Sequence, residues 1–194
     1  IALALAAEGA RVAVTGRTLG KLQKTVAEIE RRGGTALPVQ CEVKSLASLE
    51  ACVKTVVDHF GGINILVNNA QEVPNGELFN VTDEAFEAGC QSGPLATMRL
   101  MKLCHPYLKG DGSIVNLASS ATKRWDMSGY GAYAAVKDAI RQLTRAAACE
   151  WGKDNIRTNV ILPRHAAKRV MRDSASWGGS RSTTTAPSAR SSPS

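Results

Sequence analysis

Residues Gly112 to Lys137, GSIVNLASSATKRWDMSGYGAYAAVK, decide how this chain folds. Ile114, Val115 and Leu117 make a short apolar run bounded by Gly112 and by serines, which suits a central parallel strand covered on both faces. Ser119 and Ser120 then lie at the C-terminal edge of that strand. From Tyr133 onward the period turns helical, with Val136, Ile140, Leu143, Ala147 and Trp151 three or four apart. That spacing puts Tyr133 and Lys137 on neighbouring turns of one helix face.

Such a trio supports proton transfer coupled to hydride transfer at a carbonyl or alcohol carbon. A phenol with a pKa of about 10 is a poor base at neutral pH, but a lysine ammonium beside it stabilises the phenolate. A serine hydroxyl can hold the substrate oxygen next to the phenol. A Tyr-x-x-x-Lys match alone is weak. Its place, thirteen or fourteen residues after serines that end a strand, strengthens it.

With these residues the chain resembles the classical short-chain dehydrogenase/reductase family, over about Ile1 to Pro163. Leu66 to Ala70 (LVNNA) is similar to the family's strand-end motif, and Asn155 to Pro163 (NIRTNVILP) to its later strand. The resemblance implies a Rossmann-type fold that binds a nicotinamide dinucleotide and oxidises secondary alcohols or reduces ketones. It further implies that Ser119 orients the substrate oxygen, Tyr133 exchanges the proton, and Lys137 lowers the tyrosine pKa and contacts the nicotinamide ribose. Counting from Asn116 selects Ser119, whereas counting back from Tyr133 selects Ser120; Ser119 is preferred because a strand register is stiffer than a loop.

Composition sets the outer limits. A chain of 194 residues, 44% hydrophobic and 21% charged, suffices for one domain with a real core. It holds no apolar run long enough to span a membrane. Five cysteines without C-x-x-C spacing suggest reduced thiols, a cytoplasmic setting and no metal site. Of the net charge of +7, five charges fall on residues 164–194, where six Lys or Arg face one Asp. The first 163 residues are therefore nearly neutral, which speaks against a nucleic-acid partner. Residues 164–194 read as a low-complexity, disordered basic tail.

In chain order, Ile1 to Glu8 reads as the last turns of a helix closed by Gly9. In the resembled family a first strand and a glycine-rich turn precede this helix and cradle the pyrophosphate; the sequence is expected to be a fragment beginning inside that helix. Arg11 to Thr15 reads as a strand, followed by a helix over Leu19 to Arg32. Arg17, at the strand end where NAD-dependent relatives carry an acid, would pair with a 2′-phosphate, so NADP is expected over NAD. Thr35 to Val43 reads as a strand, with Glu42 and Val43 where relatives place Asp-Val near the adenine. A helix over Leu46 to Phe60 and a strand over Ile63 to Val67 follow.

Asn69 and Ala70 carry over as cofactor contacts, as does Pro163, but Gln71 replaces the family's glycine, a residue that permits close approach to the cofactor. Thr82 caps a long helix running to about Leu108. On it the family's asparagine falls at Gly93, so the usual fourth catalytic member is missing. Pro94 lacks an N–H, so the Cys90 carbonyl would lose its helical partner. It would either hold a water in the asparagine's stead or mark a packing kink. After Pro163 the resemblance ends.

The expected architecture is α/β: a doubly wound parallel sheet of about five strands, incomplete because the family's first and last strands are missing. The strands starting at Arg11 and Ile63 would each keep an unpaired edge, which makes the isolated chain aggregation-prone. Relatives commonly assemble through two long helices, so the resemblance implies a homo-oligomer. The leading function is an NADP(H)-dependent oxidoreductase acting on a small alcohol or ketone. The alternative is a catalytically inactive relative serving as a binding or oligomerisation partner.

Overall fold

The structure is a computed structural model and describes residues 1–123 and 129–163. The tail expected over 164–194 lies outside the described residues, as do residues 124–128. Helices and parallel strands alternate: α1 (Ala2–Ala7), β1 (Arg11–Gly16), α2 (Leu19–Arg31), β2 (Thr35–Gln40), α3 (Leu46–Phe60) and β3 (Ile65–Asn68) come first. They are followed by α4 (Asp83–Cys90), a π turn (Gln91–Leu95), α5 (Ala96–Leu108), β4 (Ser113–Leu117), α6 (Gly131–Trp151) and β5 (Arg157–Ile161).

The strands form two parallel groups, as the α/β reading requires. β1 pairs with β2, Arg11 standing opposite Thr35, and β4 lies between β3 and β5, with Asn116 opposite Asn68 and Leu117 opposite Ile161. Among the described residues β1 and β3 each pair on one side only, the gap expected between them.

Local chemistry sets most boundaries. Ser45 caps α3 by accepting from the Ser48 N–H at 3.3 Å, and Gly61, at φ +81°, ends it by donating to the Val57 carbonyl. Thr82 caps α4 by accepting from the Ala85 N–H, with Asp83 and Glu84 in the first turn facing the positive end of the dipole. β2 stops at Gln40, three residues short of the expected Val43, because the next residues already serve the turn into α3. There the Glu42 N–H donates to Ser48 Oγ at 2.9 Å and the Ser45 N–H to the Glu42 carbonyl.

Two apolar clusters hold the layers together. One gathers Val53 of α3, Met101, Cys104 and Leu108 of α5, Ile114 of β4, Ala147 of α6 and Ile156. The other packs Val39 and Cys41 at the end of β2 against Leu49 and Cys52 of α3. The buried face of α3 consists of Leu49, Cys52 and Val53.

A polar ladder crosses the larger cluster. Asn68 Nδ2 donates to Asn116 Oδ1 at 2.8 Å, Asn116 Nδ2 donates to Thr144 Oγ1 at 2.9 Å, and Thr144 Oγ1 donates to the Ile140 carbonyl. Asn116 is fully buried, so its loss strands polar groups on β3 and α6 at once. Asn116→Ala should lower unfolding free energy by about 2 to 4 kcal/mol, the combined cost of a cavity and unpaired amide and hydroxyl groups. Urea unfolding would check it; a change indistinguishable from zero would refute the ladder's importance.

Candidate active site

The C-terminal end of β4 and the first turns of α6 meet at Lys137. Its side chain is 5% exposed, and its ammonium donates to the carbonyl of Leu117, the last residue of β4, at 2.5 Å. The same nitrogen lies 5.8 Å from the centre of the Tyr133 ring. Burial pushes the Lys137 pKa down to about 8. Tyr133 is itself 8% exposed and packs beside Tyr130, ring centres 6.1 Å apart.

Ser119 follows Leu117 by two residues and is buried, its Oγ accepting from the Ala121 N–H at 3.2 Å. Ser120 is half-buried, and its N–H donates to the Pro163 carbonyl at 3.2 Å. The ends of β4 and β5 therefore meet at the serine pair, and the arrangement brings Ser119, Ser120, Lys137 and Pro163 to one strand end. A cation, a phenol and a hydroxyl sharing one strand end form a set able to hold a polar oxygen and move a proton.

The other residues read as cofactor contacts lie at C-terminal strand ends too, where open α/β sheets bind ligands. Asn69 and Ala70 follow β3 directly and are exposed. Arg17 follows β1, with its side chain 66% exposed. Its guanidinium stands 3.9 Å from a Glu42 carboxylate oxygen and 3.4 Å from one of Glu72. Glu42 also accepts from the Lys44 N–H, and Val43 packs on the smaller apolar cluster. Lys44 reaches Glu72 at 3.0 Å. Glu72 thus ties the β1–β2 end to the β3 end, a role the sequence reading missed because its partners are 55 and 28 residues away.

Pro94 is accommodated differently from the expectation of a free Cys90 carbonyl. The helix slips into a π turn over Gln91–Leu95, where bonds run from i to i+5 and the Ala96 N–H donates to the Gln91 carbonyl. That register presents the Leu95 N–H, instead of the missing proline one, to Cys90. The carbonyl is thereby supplied with a donor, which removes the case for a water held there. Gln71 lies against the same π turn. Its side chain turns onto the helix, with Cδ and Nε2 each 2.9 Å from where a Cβ on Gly93 would stand.

No group of three or more metal-ligating side chains occurs among the described residues, and no described helix is long and apolar enough to cross a membrane. Known proteins share this fold. The family model described as enoyl-(acyl carrier protein) reductase matches residues 1–184, past the Pro163 limit read from the motifs. A 12alpha-hydroxysteroid dehydrogenase from a Clostridium species is 42% identical over 170 residues, covering 84% of this chain and 65% of that protein. A tropinone reductase homolog from Datura stramonium is 35% identical over 163 residues, covering 82% of this chain and 60% of the relative. The chain thus spans less than two thirds of the length of either curated relative. The crystal structure of a short chain dehydrogenase from Burkholderia cenocepacia in complex with NADP superposes with a TM-score of 0.82 at 29% identity, covering 89% of this chain and 75% of that one. With the motifs in order, the parallel strands in register and a family match over nearly its whole length, the chain belongs to the classical short-chain dehydrogenase/reductase family.

Proposed function

We propose that this chain carries the proton-transfer half of an NADP(H)-dependent oxidoreductase that interconverts a secondary alcohol and a ketone. The observation that carries this reading is the placement of the Lys137 ammonium between the Leu117 carbonyl and the Tyr133 ring, at the strand end that also holds Ser119. The donor set suits a nicotinamide dinucleotide. A lysine ammonium has three protons, and Lys137 spends one on Leu117 among the described residues, leaving two for ribose hydroxyls. Gln71, turned onto the helix, leaves Asn69 and Ala70 open at the end of β3.

A bound nicotinamide would supply the hydride, or accept it. In the direction of reduction, Ser119 Oγ donates to the substrate carbonyl oxygen and fixes its position. The Tyr133 hydroxyl gives its proton to that oxygen as the carbonyl carbon becomes a C–H, leaving the negative charge on the phenol oxygen. The Lys137 cation supports that charge in a poorly solvated position, where it acts more strongly than in water. In the direction of oxidation the phenolate takes the alcohol proton back.

For the cofactor form, Arg17 supports NADP: its guanidinium projects at the end of β1 and can take a 2′-phosphate in place of its long contacts to Glu42 and Glu72. The neighbour from Burkholderia cenocepacia, solved with NADP, supports the same choice. A second reading, a non-catalytic relative that pairs with other chains, is favoured by the one-sided pairing of β1 and β3.

Titration of NADPH fluorescence, followed by loss of its near-ultraviolet absorbance on adding a panel of ketones, separates the two. Saturable binding and ketone-dependent oxidation are expected. Absence of any fluorescence change with NADPH or NADH would end the cofactor reading, and binding without turnover across the panel would favour the partner role.

A further inference from the structure

Three small residues, Gly89, Ser92 and Gly93, are buried side by side at the junction of α4 and the π turn, and the loop after β3 lies along them. Gln71 occupies the space where Gly93 has no Cβ. The Glu72 N–H donates to Ser92 Oγ at 2.9 Å, and that hydroxyl donates to the Ala88 carbonyl at 2.7 Å. Pro74 Cδ lies 2.9 Å from where a Cβ on Gly89 would stand. The floor beneath is Val136 of α6, whose methyls come within 3.1 and 3.6 Å of the two absent Cβ positions. Val136 immediately precedes Lys137.

Neither polar atom of the Gln71 carboxamide has a hydrogen-bond partner among the described residues. Its grip on the helix is therefore one of shape. A larger residue at 93 would meet the Gln71 side chain below contact distance, and a smaller one at 71 would leave the groove open under the loop. We propose that Gln71 is a positioning residue which, seated on Gly93, holds the segment Asn69–Glu72 in register with the turn of α6 that carries Tyr133 and Lys137. The inference rests on the nicotinamide reading above for its consequence, though not for its geometry. Asn69 and Ala70 precede the seat, and Glu72 follows it and reaches Arg17 and Lys44, so a shift at Gln71 moves Asn69 and Ala70 on one side and the partner of Arg17 on the other.

The test compares Gln71→Ala, Gly93→Ala, the double variant and Gln71→Met, each by hydrogen exchange at the Glu72 amide and by NADPH fluorescence titration. Either alanine variant should unprotect the Glu72 amide and weaken NADPH binding by about tenfold, and the double variant should lose no more than the worse single, the non-additivity expected of residues in contact. Gln71→Met keeps the length and drops the amide, and should behave as the wild type in both measurements. Additive losses in the double variant, wild-type behaviour of Gln71→Ala, or a Gln71→Met variant as impaired as Gln71→Ala would each overturn the proposal. Faster exchange in the alanine variants with NADPH affinity unchanged would also overturn it, because the seat would then be structural only. Should the wild type itself fail to bind NADPH, the cofactor reading falls, and the exchange pattern alone still decides whether Gln71 seats the loop.

Discussion

Tyr133→Phe is expected to lower kcat/KM for ketone reduction by about 100- to 10,000-fold, the contribution typical of a positioned general acid. The substitution removes one oxygen and keeps the ring, which is 8% exposed and packed beside Tyr130. Folding and NADPH affinity should therefore stay close to wild type, and the loss should fall on the chemical step. Reduction without an acid must leave an alkoxide to be protonated by water, and the nearby Lys137 cation offsets only part of that cost. Steady-state rates with a ketone that the wild type turns over would decide the matter. A variant within a few-fold of wild type would exclude Tyr133 as the proton donor.

Lys137→Met should change stability in a pH-dependent way. An unfolded chain releases the lysine proton at a pKa near 10.5, whereas burial brings it down to about 8 in the folded state. Between these values the unfolded state binds more protons, so this group makes stability rise with pH from about 8 to about 10.5, and the full penalty is present below 8. The shift corresponds to roughly 3 kcal/mol, against which Lys137→Met forfeits about 1 kcal/mol from the bond to Leu117. The variant should thus be about 2 kcal/mol more stable at pH 7, about as stable as wild type or slightly less so above pH 10.5, and inactive. Urea unfolding of both proteins at several pH values measures the difference directly, with the other titrating groups common to both. A difference that stays constant from pH 7 to pH 10.5 would show that Lys137 is not desolvated.

The strand, the serines and the helix of residues 112–137 could be read from the sequence because each is set by neighbours only a few positions away. Along β4 the buried Ile114 and Asn116 alternate with the half-buried Ser113, Val115 and Leu117, and the stripe from Val136 to Ala147 repeats with the helical period. The C-terminal strand ends follow from the same local rules, which is why Arg17, Glu42, Asn69 and Pro163 lie at such ends. What could not be read depends on partners brought together by the fold. Glu72 joins Arg17 and Lys44 from three different loops, and Asn116 reaches Asn68 and Thr144, 48 and 28 residues away. Gln71 stands out in the sequence only as a missing glycine; that its side chain would fold back depends on Gly93 having no side chain of its own. The proline at 94 signalled a lost donor correctly, but the one-residue slip that replaces the donor is a property of the whole helix.

That slip lets a single continuous helix serve two masters. Its leading part, α4 with the π turn, lies against α6, whereas α5 lies against α3, β3 and β4. A regular helix of this length keeps one buried stripe, which would reach only one of those neighbours. By advancing the phase by one residue, the turn at Gln91–Leu95 hands the buried side from α6 to the sheet. Insertions and deletions along Asp83–Leu108 are consequently unequal: outside the turn they rotate one half out of contact, and within it a single deletion would reset both halves to a common face.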